Sequence, residues 1–172
     1  VQDSREPQLL AGIVSDLRVI NAQRGKLALF KLDDSTGVLE ASADEALINA
    51  NKNTLKDDEL IIVQGKVQND RFSGGLRLQV TQIWDLAAAR CRFGKFLRVA
   101  VNGKAPDIHA LVRDFPPLRE VSEEGELLRG LPVRLSVLRE QVSAELHLGE
   151  QAKFFPSDAA LASWSAQAHQ GK

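Results

Sequence analysis

The first half of the chain is dominated by alternating apolar and polar positions, the pattern of half-buried β-strands. In residues 9–20, Ile13, Leu17 and Val19 share one parity, which we expect to face a core, while Asp16 and Arg18 take the other. The same reasoning predicts further strands at residues 26–32, 38–43, 59–67 and 76–84.

Two other elements interrupt these strands. The turn at residues 33–37 reads Asp-Asp-Ser-Thr-Gly, and we expect Gly37 to supply its positive φ. Residues 44–55 change to helical spacing, with Asp44 or a neighbour as the cap. The order is therefore three strands, a short helix and two strands. A five-stranded Greek-key barrel of the OB type has that order, although small β-sandwiches can imitate it.

The second half predicts a small α+β unit. A strand is expected at 95–101, a helix at 106–115, a loop at 120–130, and a hairpin from strands 131–138 and 142–148. A terminal helix follows, with Ser157 as its N-cap. The predicted fold is thus mainly β with α+β: an extension (1–8), an OB-fold barrel domain (9–90) and a small α+β domain with a β-hairpin and a terminal helix (91–172).

Composition narrows the class of protein. No apolar run approaches the roughly 20 residues that cross a bilayer, and the N-terminus is not a signal peptide, so a cytoplasmic protein without a membrane partner is expected. The single cysteine, Cys91, excludes an intramolecular disulfide. Methionine is absent even at position 1, which we interpret as a piece of a longer chain.

Catalytic chemistry is not indicated. The sequence has no phosphate-binding loop, serine elbow or zinc-protease helix, and its three histidines lack metal-ligand spacing. Asp33-Asp34 and Asp57-Asp58 are paired carboxylates, but turn positions favour backbone bonding over catalysis or Mg²⁺ binding. We expect no enzymatic activity, cofactor or metal in this chain.

A local excess of cations points to nucleic acid, although the net charge of −1 gives no bulk support for it. Residues 18–31 contain four cations and no acid, and two more cations and a ring lie at the last predicted hairpin. In an OB barrel these two loops flank the face where single-stranded nucleic acid lies. The candidate nucleic-acid-binding residues are Arg18, Arg24, Lys26, Lys31, Arg71, Phe72 and Arg77, with Phe30 as a second stacking ring. The alternative is a solvated, charge-balanced surface on a barrel that binds only protein.

Three stretches, residues 32–40 (LDDSTGVLE), 62–67 (IVQGKV) and 72–78 (FSGGLRL), resemble the OB domain of the alpha subunit of bacterial DNA polymerase III. The similarity continues through residues 84–90 and, more loosely, into the second unit. It implies a non-catalytic part of a DNA polymerase that guides single-stranded template DNA beside the rest of the polymerase chain. It also implies docking of the tau subunit of the clamp loader, through Phe154, Leu161 and Trp164. An anticodon-binding OB domain of a tRNA synthetase is the alternative, since it shares the first stretch.

Overall fold

The computed structural model describes residues 4–69, 74–102, 106–122 and 125–170. The chain divides into two units, Val1–Leu86 and Ala87–Lys172. In the first, the strands are β1 (Ser4–Ala22), β2 (Gly25–Asp33), β3 (Val38–Asp44), β4 (Leu60–Asn69) and β5 (Leu76–Trp84), and the helix is α1 (Glu45–Ala50).

The five strands close into a barrel of order β1-β2-β3-β5-β4, with β3 and β5 parallel and the other pairs antiparallel. The predicted order of elements and the OB-type barrel are confirmed. Helix α1 is shorter than expected, and Asp44 caps it by accepting a 2.9 Å hydrogen bond from the backbone N–H of Leu47. The helix therefore begins where the third strand ends.

The barrel core corrects the parity predicted for the first strand. Val14 is buried, whereas Ile13 and Val19 are about half exposed. A β-bulge between Ser15 and Arg18, with Asp16 at φ 54°, adds one residue to β1 and exchanges the two faces beyond it. The exchange explains why Ile13 faces outward, whereas Val19 lies on the core side opposite Ala28 and is nevertheless 53% exposed. Only Leu17, which follows the bulge, packs against the core as expected.

The turn between β2 and β3 also differs from the prediction in one detail. Ser35, not Gly37, has the positive φ, at 68°. Asp33 Oδ1 accepts from the backbone N–H of Ser35 at 2.8 Å, and Asp34 accepts from the N–H groups of Thr36 and Gly37. These bonds hold Ser35 in the left-handed region, so glycine is not required at position 37.

The second unit, described by itself, contains α2 (Leu86–Phe93), β6 (Leu97–Val101), α3 (Ile108–Asp114), β7 (Leu118–Ser122), β8 (Gly125–Arg129), β9 (Val133–Arg139), β10 (Val142–His147) and α4 (Asp158–Gln170). The sheet has the order β10-β9-β6, with β6 parallel to β9. Ser157 caps α4 as predicted, because its Oγ accepts from the N–H of Ala160 at 3.2 Å.

Two expectations for this unit are wrong. Residues 120–130 are not a loop: β7 and β8 pair as a two-stranded sheet, held by cross-strand ion pairs such as Arg129–Glu120 at 2.7 Å. The alternation of apolar residues over 142–148 also predicts one buried side, but Val142 is 64% and Leu146 51% exposed, because the buried core ends at the neighbouring strand β9.

Candidate nucleic-acid interface

The bulge in β1 places two charged side chains over the outside of the barrel. Asp16 and Arg18 lie where β1 crosses β2, and the Nζ of Lys31 is 2.6 Å from Oδ2 of Asp16. The pKa of Asp16 is lowered, first by this hydrogen bond and then by the charges of Lys31 and Arg18. The loop after α1 fixes the bulge, since Asp57 Oδ1 accepts from the N–H of Leu17 at 2.9 Å.

A row of alternating charge continues from this bulge across three strands. Lys31 on β2 is the register partner of Glu40 on β3, and Glu40 is the partner of Arg77 on β5. Nη2 of Arg77 lies 2.8 Å from Oε2 of Glu40. With Arg18 and Leu29, these residues line a shallow groove of about 100 Å³. Two of the predicted cations, Lys31 and Arg77, are therefore paired with Asp16 and Glu40, two of the acids that the charge-balanced alternative assigns to them.

The adjacent outer row has a different character. It runs through five register partners and carries cations at its two ends, with an apolar and two neutral polar side chains between them: Arg18, Leu29, Ser42, Gln79 and Lys66. Arg18 and Lys66 are exposed, and in the described part of the chain neither has a carboxylate within ion-pair distance. The sequence analysis missed Lys66 because it stands alone, and only the pairing of β4 with β5 adds it to the row.

The β1–β2 hairpin adds two more exposed cations, Arg24 and Lys26. Gly25 has φ 109°, and a Cβ there would lie 2.6 Å from Oε2 of Glu45, so the turn requires glycine. The same carboxylate accepts a 3.2 Å hydrogen bond from the N–H of Lys26, which ties the hairpin to the start of α1. Among the described residues, no acid is paired with the side chain of Arg24 or Lys26.

Of the remaining predicted positions, Arg71 and Phe72 lie outside the described residues. Phe30 is 3% exposed and faces the core with its register partner Ala41, so its ring cannot stack on a base. The structure thus brings Arg18, Lys31 and Arg77 together and leaves Arg24 and Lys26 on the adjoining hairpin.

The paired carboxylates serve the fold. Besides its backbone bonds, Asp34 accepts a 2.6 Å hydrogen bond from the hydroxyl of Thr36, and this bond is the main reason that the pKa of Asp34 is lowered. In the described ranges, no group of three or more His, Cys, Asp or Glu side chains is placed to hold a metal ion. Nor does any helix in those ranges have the length and apolar character needed to cross a membrane.

Comparison with known proteins places this geometry in a family. Residues 9–86, which include the whole charged surface, match the model of the OB-fold nucleic acid binding domain. DNA polymerase III subunit alpha of Pseudomonas aeruginosa is 32% identical over 92% of this chain, and that of Neisseria meningitidis serogroup B is 32% identical over 87%. The chain is homologous to the C-terminal region of the DNA polymerase III alpha subunit.

The chain spans only 13% of the length of these alpha subunits. The subunit of Escherichia coli strain K12 matches over 88% of the chain at 31% identity, again across both units. An isolated anticodon-binding barrel does not account for a match that includes the second unit. Among solved structures, a small single-stranded DNA-binding protein from Streptomyces coelicolor overlaps 49% of this chain and 97% of its own, with a TM-score of 0.42 and 17% identity. At that score it adds nothing to the topology.

Two of the three predicted docking residues are buried in the hydrophobic core of the second unit. Phe154 is fully buried and Trp164 is 6% exposed, and their ring centroids are 5.5 Å apart. Phe154 also exchanges backbone hydrogen bonds with Leu131, which fixes it beneath α4. Leu161 packs on the edge of the same core and is half-buried. Phe154 and Trp164 are therefore core residues, and in this conformation neither presents a surface to a partner.

Proposed function

We propose that the barrel binds single-stranded template DNA within a replicative DNA polymerase, as a non-catalytic part of it. The observation that supports this most directly is a set of exposed cations in the groove and on the adjoining hairpin that have no acidic partner among the described residues: Arg18, Arg24 and Lys26. Phosphates bound there would release counterions, which makes the affinity depend on salt. Leu29, next to Arg18 in the outer row, offers an apolar contact to sugars or bases.

The charge pattern supports weak, sequence-tolerant binding. Lys31 and Arg77 must exchange Asp16 and Glu40 for phosphate oxygens, which costs part of what the phosphates contribute. Phe30 is among the residues that line the groove, but at 3% exposure its ring offers no surface for base stacking. Backbone contacts carry no sequence information. A barrel that guides template past an active site elsewhere in a polymerase needs this kind of contact.

The test is fluorescence anisotropy of a labelled oligothymidylate at low and moderate salt. Arg24→Ala/Lys26→Ala is compared with Lys52→Ala/Lys56→Ala, which removes two exposed charges from the loop after α1. We expect the hairpin pair to weaken binding about 10-fold or more and to reduce the salt dependence, while the control pair stays near wild type. Equal losses of affinity in the two double variants would mean that the effect comes from net charge and not from the hairpin. No binding even at low salt would favour a barrel that contacts only protein.

For the second unit we propose docking of a protein partner, the tau subunit of the clamp loader. Of the predicted positions, Leu161 is the one that retains exposed surface. On β10 of the same unit, Val142 and Leu146 are also exposed apolar side chains. Surface plasmon resonance with tau tests this through Leu161→Ser and Val142→Ser/Leu146→Ser. Unchanged affinity in both variants would contradict docking at this surface.

In this proposal, the barrel domain of residues 9–90 binds DNA, and the unit of residues 91–172 docks the partner protein. The other partner would be the remainder of the polymerase chain, and the place of action would be the cytoplasm.

A further inference from the structure

A second cationic surface lies in the second unit, at a segment to which the sequence analysis gave no function. Residues 90–98 read RCRFGKFLR and contain four cations and two phenylalanines but no acid. The segment includes the end of α2 and the start of β6. Arg98 is six positions after Arg92, so the Cα atoms of these two residues are at most about 22 Å apart.

The strand end of this segment joins a cationic row on the sheet. Arg98 on β6 is the register partner of Arg134 on β9, and Arg134 is the partner of His147 on β10. One carboxylate, that of Glu145, contacts all three, at 3.1 Å from Arg98, 3.2 Å from Arg134 and 3.0 Å from His147. Two guanidinium groups against one carboxylate leave the row positive even with neutral histidine.

Aromatic rings accompany these charges. The guanidinium of Arg134 lies 3.8 Å from the centroid of the Phe96 ring, an arrangement that orients its N–H donors. At the helix end, Phe93 is 49% exposed beside Arg92 and Lys95, which are also exposed. In the part of the chain that the structure describes, neither of these two cations has an acidic partner.

We propose that this surface binds single-stranded nucleic acid as a second contact, separate from the barrel. Arg92, Lys95 and Arg98 take phosphates, and the Phe93 ring stacks on a base. Cations interleaved with an exposed ring match the alternation of phosphate and base along a single strand. An acidic peptide would use the cations but would gain little from the ring. Glu145 holds Arg98 and Arg134 in place until phosphates replace it.

The test uses the whole chain, the labelled oligothymidylate and three variants. Arg92→Ala/Lys95→Ala removes two phosphate contacts, and we expect an affinity loss of about five-fold or more and a salt slope shallower by about 1.4. Arg113→Ala/Arg119→Ala removes two charges elsewhere in the unit and should leave the slope unchanged. Phe93→Ala should weaken DNA binding about five-fold or more but leave polyglutamate binding unchanged. Thermal melting confirms that each variant is folded.

The outcomes separate the two surfaces. If only Arg24→Ala/Lys26→Ala changes the slope, the barrel proposal stands and this one is overturned. If only Arg92→Ala/Lys95→Ala changes it, this one stands and the barrel proposal falls. Equal slope changes in the Arg92/Lys95 and Arg113/Arg119 pairs would overturn this proposal, since they would reflect net charge. So would an equal effect of Phe93→Ala on DNA and polyglutamate, or no effect on either, because the ring would then not read a base.

Discussion

Nη2 of Arg77 lies 2.8 Å from Oε2 of Glu40, on neighbouring parallel strands at the centre of the barrel's charged groove. Lys31 is the partner of the same glutamate on the other side. The Glu40 carboxylate therefore holds Arg77 in position and also competes with any phosphate that approaches it, while Lys31, beside it, is paired with Asp16. This double role makes Glu40 the residue whose removal separates a DNA-binding groove from a merely charge-balanced surface.

We expect Glu40→Gln to tighten oligothymidylate binding. The amide keeps the shape of the side chain but removes the negative charge that pairs with Arg77. An exposed ion pair of this kind corresponds to about a two- to five-fold change in affinity. Anisotropy titration measures it, with Glu59→Gln as the control of equal charge change. Weaker binding in Glu40→Gln, or equal gains in both variants, would contradict the groove as the binding site.

The titration of Asp16 tests the geometry of the bulge. Its pKa in the folded chain should lie below the ordinary value of 3.8, chiefly because it accepts the hydrogen bond of Lys31. A depressed folded value means that the pair stabilises the fold fully above the ordinary value and that this stabilisation is lost as the pH falls through the folded value. NMR of the carboxyl carbon should show the midpoint rise in Lys31→Ala and stay put in Lys52→Ala.

The same pair gives an independent result in unfolding experiments. The difference in urea-unfolding free energy between wild type and Lys31→Ala should be largest at neutral pH and shrink as the pH falls below about 4. A difference that stays constant with pH would mean that Asp16 and Lys31 are not paired in solution.

We expect Gly65 to tolerate substitution by alanine far less well than Gly37 does. A Cβ at Gly65 would lie 2.3 Å from the backbone oxygen of Gln79, at the bulge where β4 meets β5, whereas nothing lies within 4 Å of a Cβ at Gly37. Gly65→Ala should lower the free energy of unfolding by roughly 2–4 kcal/mol. Gly37→Ala should change it by no more than about 0.5 kcal/mol, because its φ is not in the left-handed region. Equal effects in urea denaturation would refute the pairing of Gly65 with the β5 backbone.

In the second unit, Phe154→Ala should cost about 3–5 kcal/mol in the unfolding of that unit, since the ring is fully buried against Trp164. Leu161→Ala should cost about 1 kcal/mol, because the side chain is only half-buried. Near-ultraviolet circular dichroism follows this unit during denaturation when it is measured in a Trp84→Phe background, which leaves Trp164 as the one tryptophan. A loss of unfolding free energy well below about 3 kcal/mol in Phe154→Ala would mean that Phe154 is not a core residue in solution, and it would again be a candidate for docking.

The barrel's topology was predictable from sequence because each strand is marked by alternation and each turn by Asp, Ser or Gly. The face of β1 was not, since one inserted residue at Asp16 reverses the parity and leaves no local signal in the sequence. The hairpin of β7 and β8 was mistaken for a loop for a related reason. Acidic residues that suggest solvent are the cross-strand partners of Arg119 and Arg129.

The candidate site was predictable only in part. Arg18, Lys31 and Arg77 stand far apart in sequence, and the expectation that they share a face followed from the barrel alone. Their pairing with Asp16 and Glu40 depends on register, which the pattern of residue types leaves open. The residue types also leave open whether Phe30, Phe154 and Trp164 are buried, since aromatic side chains suit both a core and a binding surface.

The central claim is that single-stranded DNA lies across the groove outside β1, β2, β3 and β5. Backbone-amide NMR of the whole chain during titration with an unlabelled oligothymidylate tests it most directly. We predict that the largest shifts fall at Arg18, Leu29, Lys31 and Arg77 and in the hairpin at residues 23–26, and that they diminish as salt is raised. Saturating DNA that leaves these amides unmoved would contradict the account.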